Sequence, residues 1–253
     1  MSVNRAVWKT LFEKDAFPGL PCPQCATGKM KLVPATLFLE EPAFSIQQHG
    51  HDDFEPDWIK QRFSARLKCD EAVCGEILTM AGDTETVSVY LEESEGYTGW
   101  AVQDVLRPKS VFPAPPLFPI LEKAPYRVRE QLQLGFQLFW TDLAACAGRL
   151  RTAVELMLDD QGVPDQVSKK GKMERATLWD RIESFAATTA GDDLKEPLHA
   201  LRHIGNLGTH GTTLTSEAFF DAADVLEDVL LGVYEKKSLK KKIKKLTDTK
   251  GAY

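Results

Sequence analysis

Four cysteines in two closely spaced pairs set the strongest limit on how this chain can fold. Cys22-Pro-Gln-Cys25 is followed 44 residues later by Cys69-Asp-Glu-Ala-Val-Cys74-Gly. A C-x2-C turn lets two thiolates converge on one ion, and a second knuckle completes a tetrahedral shell. Thiolates are the soft ligands that zinc prefers, so Cys22, Cys25, Cys69 and Cys74 are predicted to hold a structural Zn2+. Four thiolates leave no open coordination position, which argues against a catalytic metal. Gly28 and Gly75, just past the two knuckles, suit tight turns with positive φ. His49 and His51, in the segment between the pairs, are the alternative ligands. Redox use of Cys22 and Cys25 would call for a thioredoxin-like βαβ pattern, which this sequence lacks.

Disulfides are the competing use of cysteine, and compartment decides between the two. The opening MSVNRAVWKTLFEKD has neither the apolar core nor the cleavage site of a secretory signal. It reads as an amphipathic helix with Val7, Trp8, Leu11 and Phe12 on one side. No stretch approaches the ~20 apolar residues that span a bilayer. The expected location is the cytoplasm, where thiols stay reduced. A net charge of −6 excludes a protein coated in basic surface but not a local basic patch.

Two regions of different character follow one another. Residues 30 to 93 favour strands: MKLVPATLFLEE, IKQRFSARLKC, EILTMAG and TETVSVYLEE alternate apolar and polar residues as half-buried antiparallel strands do. The intervening FSIQQHGHDDFEPDW is polar and turn-rich. Arg107 to Ile120 carries five prolines, each lacking a backbone donor and fixing φ, so no helix or central strand is expected through it. The predicted organisation is a β domain over 1–106, a proline-rich linker over 107–120, a helical domain over 121–236 and a lysine-rich tail over 237–253.

Helical spacing dominates after Pro125. Leu143, Ala147, Leu150, Val154, Met157 and Leu158 fall on one face, and Cys146 sits with them as a core thiol. Further helices are expected over about 174–190, from Asp193, and over 216–234, where Phe219, Leu226, Val229, Leu230 and Val233 form the apolar stripe. The fold class is thus α+β: a small N-terminal zinc ribbon followed by an all-α bundle. Seven of the ten residues from Lys236 to Lys245 are lysine. Such a run is either a solubilising tail or a phosphate-backbone contact, which would make nucleic acid the partner.

The most chemically suggestive segment is DDLKEPLHALRHIGNLGTHG, Asp192 to Gly211. Wound as a helix, Leu194, Leu198, Leu201 and Gly205 line one face. His199, Arg202, His203, Asn206 and His210 then share an arc on another. An imidazole can take the proton of an RNA 2′-hydroxyl, and a guanidinium can hold the phosphorane charge. The structural reading of the same residues is that Arg202 and Asn206 bridge helices and His210 caps an end. Gly205 and Gly208 imply close helix packing or a break. Arg151 and Glu155, at i and i+4 on the preceding helix, either orient this group or form an exposed ion pair.

These segments carry a resemblance. CAGRLRTAVELMLDDQG, LWDRIESF, LHALRHIGNLGTHG and SEAFFDAADVLEDVLLGVYE resemble the prokaryotic domain of unknown function 4145 over roughly residues 120 to 236. That family's R-x-x-G-N-x-x-x-H motif falls on Arg202, Gly205, Asn206 and His210. Its helix layout is similar to the HEPN superfamily, many of whose members are metal-independent ribonucleases and toxins assembled as homodimers. The resemblance implies an HEPN-like bundle, a homodimer, a defence- or toxin-type role linked to RNA, and Arg202, Asn206 and His210 as the catalytic set. Seven residues lie between Arg202 and His210, where the HEPN signature places the histidine four to six residues beyond the arginine. The alternative is a non-catalytic interaction module that contacts nucleic acid or a partner protein.

Overall fold

The computed structural model describes residues 5–94, 97–169, 171–188, 191–207, 214–236 and 247–248. The chain forms two units that divide between Pro116 and Leu117, the first β-rich and the second helical. The class is α+β.

The first unit opens with a short helix, α1 (Arg5–Lys9), in which Trp8 is buried. The helical face expected to continue to Phe12 stops there, because Phe12 is extended and bridges Leu106. A curled antiparallel sheet follows, built from β1 (Met30–Leu32), β2 (Phe38–Glu40), β3 (Arg62–Cys69), β4 (Ile77–Ser94) and β5 (Tyr97–Phe112). Its order is β1-β3-β4-β5, with β2 also paired to β3 beside β1. β3 alternates exposed and buried residues along its whole length, so Phe63, Ala65, Leu67 and Cys69 face inward. They meet Leu20, Met30, Leu78, Met80, Leu106 and Val111 in the core.

β4 and β5 form one long hairpin, where the sequence suggested two short strands over β4 and assigned none over β5. β5 also runs six residues into the predicted 107–120 linker, which corrects that boundary. Pro108 is tolerated because it lies on an edge strand, opposite Gly82, at a bulge that shifts the register after Ala81. A Cβ on Gly82 would collide with the Arg107 carbonyl, so the bulge requires glycine there. The polar segment before β3 holds α2 (Ala43–Ile46) and two 3-10 turns.

The second unit contains α3 (Tyr126–Leu138), α4 (Leu143–Asp160), a β6–β7 hairpin (Gln166–Lys169, Lys172–Arg175), α5 (Leu178–Ala186), α6 (Lys195–Leu207) and α7 (Ser216–Leu231). The predicted helix over 174–190 is therefore shorter, and its first residues belong to the hairpin. Thr177 and Asp180 start α5 with a reciprocal capping box. Asp142 and Thr215 cap α4 and α7 through their side chains. Phe136, Phe185, Phe219 and Phe220 are among the largest fully buried side chains, each worth about 1.5–3 kcal/mol of burial. Cys146 is fully buried among them, and burial raises its thiol far above the ordinary value. No helix among the described residues is long and apolar enough to cross a membrane.

Candidate functional site

The chain brings its two cysteine pairs together at one end of the β3 rung. Cys69 is the last residue of β3, and β1 lies beside it with Met30 opposite Cys69. The Cys22–Cys25 turn is tied down by Cys22 N–H donating to the Gly28 carbonyl. All four Sγ atoms lie within 4.8 Å of one another. Cys22 and Cys74 are 3.7 Å apart, and Cys25 and Cys69 are 3.8 Å apart. A tetrahedron of thiolates ~2.3 Å from a central ion has edges of ~3.8 Å, so the set is spaced to hold one metal ion. Disulfides, at ~2.05 Å, are not what these distances describe.

Backbone amides support the thiols. Gln24 N–H donates to Cys22 Sγ at 3.4 Å and Gly28 N–H to Cys25 Sγ at 3.3 Å. The Thr27 side chain and the Gly28 amide lower Cys25 to about 6, whereas burial pushes Cys69 up to about 12. A cation at the centre would favour the thiolate at every position, removing that split. Gly75 takes φ +59° as expected, but Gly28 does not take a positive φ; the left-handed residue of the first knuckle is Ala26, at φ 58°. Gly28 is required instead because a Cβ there would strike the Cys69 sulfur. His49 and His51 stay outside the cluster. His49 Nε2 lies 2.8 Å from Glu41, and His51 packs on Trp58.

The arginine–histidine face of α6 is divided by the structure. Leu198, Leu201 and Gly205 turn inward as predicted. Gly205 lets α6 approach α4: a Cβ there would lie 2.9 Å from Arg151 Cβ. Arg151 in turn pairs with Glu155 at 3.2 Å, both half-buried. His199 is captured by α5, with Nε2 2.8 Å from Glu183, whose other oxygen accepts from Lys195 at 2.8 Å. Lys195 and His199 hold the Glu183 carboxyl below its ordinary range. Arg202 is half-buried and donates from Nη2 to His203 Nε2 at 3.1 Å. Because a guanidinium can only donate, that ring nitrogen carries its lone pair toward Arg202. Asn206 is on α6 but its side chain lies outside the described residues, as does all of His210 and the Lys237–Lys245 stretch.

One polar feature gave no sequence signal. A cleft of about 510 Å³ is lined by Arg151, Glu155, Asp159, Asp165, Arg175 and Arg181, among others. Arg181 is buried and donates to Asp159 at 2.6 Å and to the Val163 carbonyl at 3.3 Å. Its lining comes from α4, the β6–β7 hairpin and α5. The hairpin strands are exposed nearly throughout, so no apolar alternation announced them.

The fold and the thiol cluster define a two-unit α+β protein with a four-cysteine set spaced to hold a metal ion. Residues 10–111 match the family described as Domain of unknown function (DUF8608). Residues 135–248 match that described as Domain of unknown function (DUF4145), at the segment carrying the resemblance noted above. No curated protein and no solved structure matches the chain.

Proposed function

We propose that the chain is an RNA-linked protein of the defence or toxin type, cytoplasmic and prokaryotic, in which a zinc-stapled β unit accompanies an HEPN-like helical unit that works as a homodimer. The observation that carries the reading is the Arg202–His203 contact on α6. It sets an obligate cation beside an imidazole whose Nε2 lone pair accepts from it, at a half-exposed position. A phosphodiester arriving there meets a guanidinium fork that it can draw away from the imidazole. Asn206 and His210, from the same sequence motif, complete the candidate set with Arg202. The chemistry needs no metal: with the guanidinium drawn onto the phosphate oxygens, the released imidazole takes the 2′-hydroxyl proton as that oxygen bonds to phosphorus, and the 5′-oxygen leaves and takes up a proton from water.

Zinc is the ion that a spaced set of four thiolates selects, and its role is structural because all four positions are protein ligands. The 3.7–3.8 Å sulfur separations support it. The purified chain is expected to carry one zinc per molecule by elemental analysis.

A second reading, a non-catalytic interaction module contacting nucleic acid or a partner protein, is favoured by the capture of His199 by Glu183. That contact removes one imidazole from the arc and gives it a helix-bridging role. Total RNA incubated with the purified chain in the presence of EDTA separates the two. Fragmentation that is lost in Arg202→Ala and His210→Ala supports cleavage. Equal RNA patterns for wild type and both variants end the enzymatic reading and leave the binding module.

A further inference from the structure

The outward face of the N-terminal sheet carries a pattern that the metal cluster does not explain. Antiparallel register places Lys31, Lys68 and Ile77 on one rung, and Arg66, Thr79 and Phe112 on the next. A third rung holds Phe38, Ser64, Ala81 and Ser110. Each of these residues is exposed, with Phe38 at 65%, Phe112 at 64% and Ile77 at 43%. Small residues therefore form a low shelf between two raised phenyl rings, and three cations stand at its upper end.

The charges on this shelf are unbalanced. Lys31 lies directly across from Lys68, a like-charge pairing that destabilises a sheet. Among the described residues Lys31, Arg66 and Lys68 make no side-chain ion pair or hydrogen bond. The acids nearest them in the chain turn to backbone amides and not to these cations: Glu76 accepts from the Ile77 amide and Asp70 from the Lys29 amide. At the far end of the face the charges are already matched, Arg62 with Asp83 at 2.8 Å and Arg107 with Glu85 at 2.6 Å. Among the described residues of this face, the cations without an ion-pair partner therefore lie at the end that carries the apolar rings.

We propose that this face is a platform for single-stranded RNA, with Phe38 and Phe112 as stacking surfaces for bases and Lys31, Arg66 and Lys68 as phosphate contacts. The inference deepens the RNA-linked reading and rests on it. Strands ~4.8 Å apart and rungs ~6.8 Å apart put the two rings roughly 16 Å from each other, far enough to hold separate bases. Exposed aromatics beside a cationic track are what sequence-tolerant single-strand binding requires, since every base offers a π-face. A paired duplex keeps its bases stacked on each other and gains nothing from the rings.

The test is fluorescence anisotropy of a labelled 12-nucleotide RNA with the intact zinc-loaded chain across a salt series. Three phosphate contacts give a log–log salt slope of about −2. The double substitution Arg66→Glu, Lys68→Glu should weaken binding about tenfold or more at 0.15 M salt and flatten the slope to about −0.7. Phe38→Ala and Phe112→Ala should each weaken it roughly 5- to 150-fold while leaving the slope unchanged. Circular dichroism and zinc content verify that these surface variants are folded. Wild-type binding indifferent to all four substitutions overturns the platform but leaves the RNA-linked reading intact. Binding to an RNA duplex as tight as to the single strand overturns the stacking role, and no wild-type binding to RNA overturns both readings.

Discussion

Single residues decide whether the thiol cluster can form. Gly28 occupies the space beside the Cys69 sulfur, so Gly28→Ala should displace one ligand while leaving all four cysteines in place. On the zinc reading, the expected result is metal released by weaker chelators and a lowered midpoint for the β unit, measured by metal-dye titration and thermal melting. Substitution at Gly75 acts differently, since φ +59° strains a side chain even where space is open. The cysteine spacing made the ligand set legible from sequence, because chemistry and chain geometry limit what two knuckles can do. The reason for Gly28 was not legible: it depends on a sulfur 41 positions away, and no local pattern encodes that. Cys146 shows the opposite case, a lone cysteine at a helical core position that the structure buries completely.

Among the elements, α5 is the one whose stability should follow pH most directly. Asp180 accepts from Lys169 at 2.8 Å, from the Thr177 hydroxyl at 2.8 Å and from the Thr177 amide at 2.9 Å. Lys169 first, then Thr177, lowers its carboxyl to about 2. A carboxyl depressed in the folded state favours folding above its unfolded value, and that contribution disappears as pH falls from about 4 to about 2. Asp180→Asn should flatten this acid limb in urea melts at successive pH values, whereas a variant elsewhere on the exposed surface should retain it. Thr177→Ala removes the other half of the capping box, at a cost of about 1 kcal/mol.

Elements also show where sequence reasoning fell short. α4 and α7 were readable because their buried residues repeat at helical spacing. The β6–β7 hairpin was missed because neither strand has a buried face to create alternation. β5 was missed because Pro108 argues against a strand, and only the edge position and the Gly82 bulge make it compatible. α1 was overextended because Leu11 and Phe12 fit a helical face in sequence, while Phe12 pairs with Leu106. On α6 the inward face was correct, but the proposed histidine arc was divided by Glu183, an acid on a different helix.

On the scale of the whole molecule, the thiol cluster and the sheet lie in one unit, so a bound ion and the sheet would form one folding problem. Chelation of the intact chain should abolish the ordered environment of residues 5–116 while the helical signal at 222 nm persists, since α3 to α7 draw on a separate core. A simultaneous loss of both signals would show that the helical unit also depends on the metal.

The pairing of β1 with β3 carries a liability in the cell. β1 contributes only three residues to its ladder, and the turn that delivers it is fastened through Cys22 and Cys25. Stripping the ion would let that short strand peel away, baring the Leu67–Cys69 rim of β3 as an unsatisfied row of amides and carbonyls. On the zinc reading, metal starvation would convert a folded protein into a seed for chain-to-chain strand addition, and zinc supply would guard this chain against aggregation as much as it shapes it.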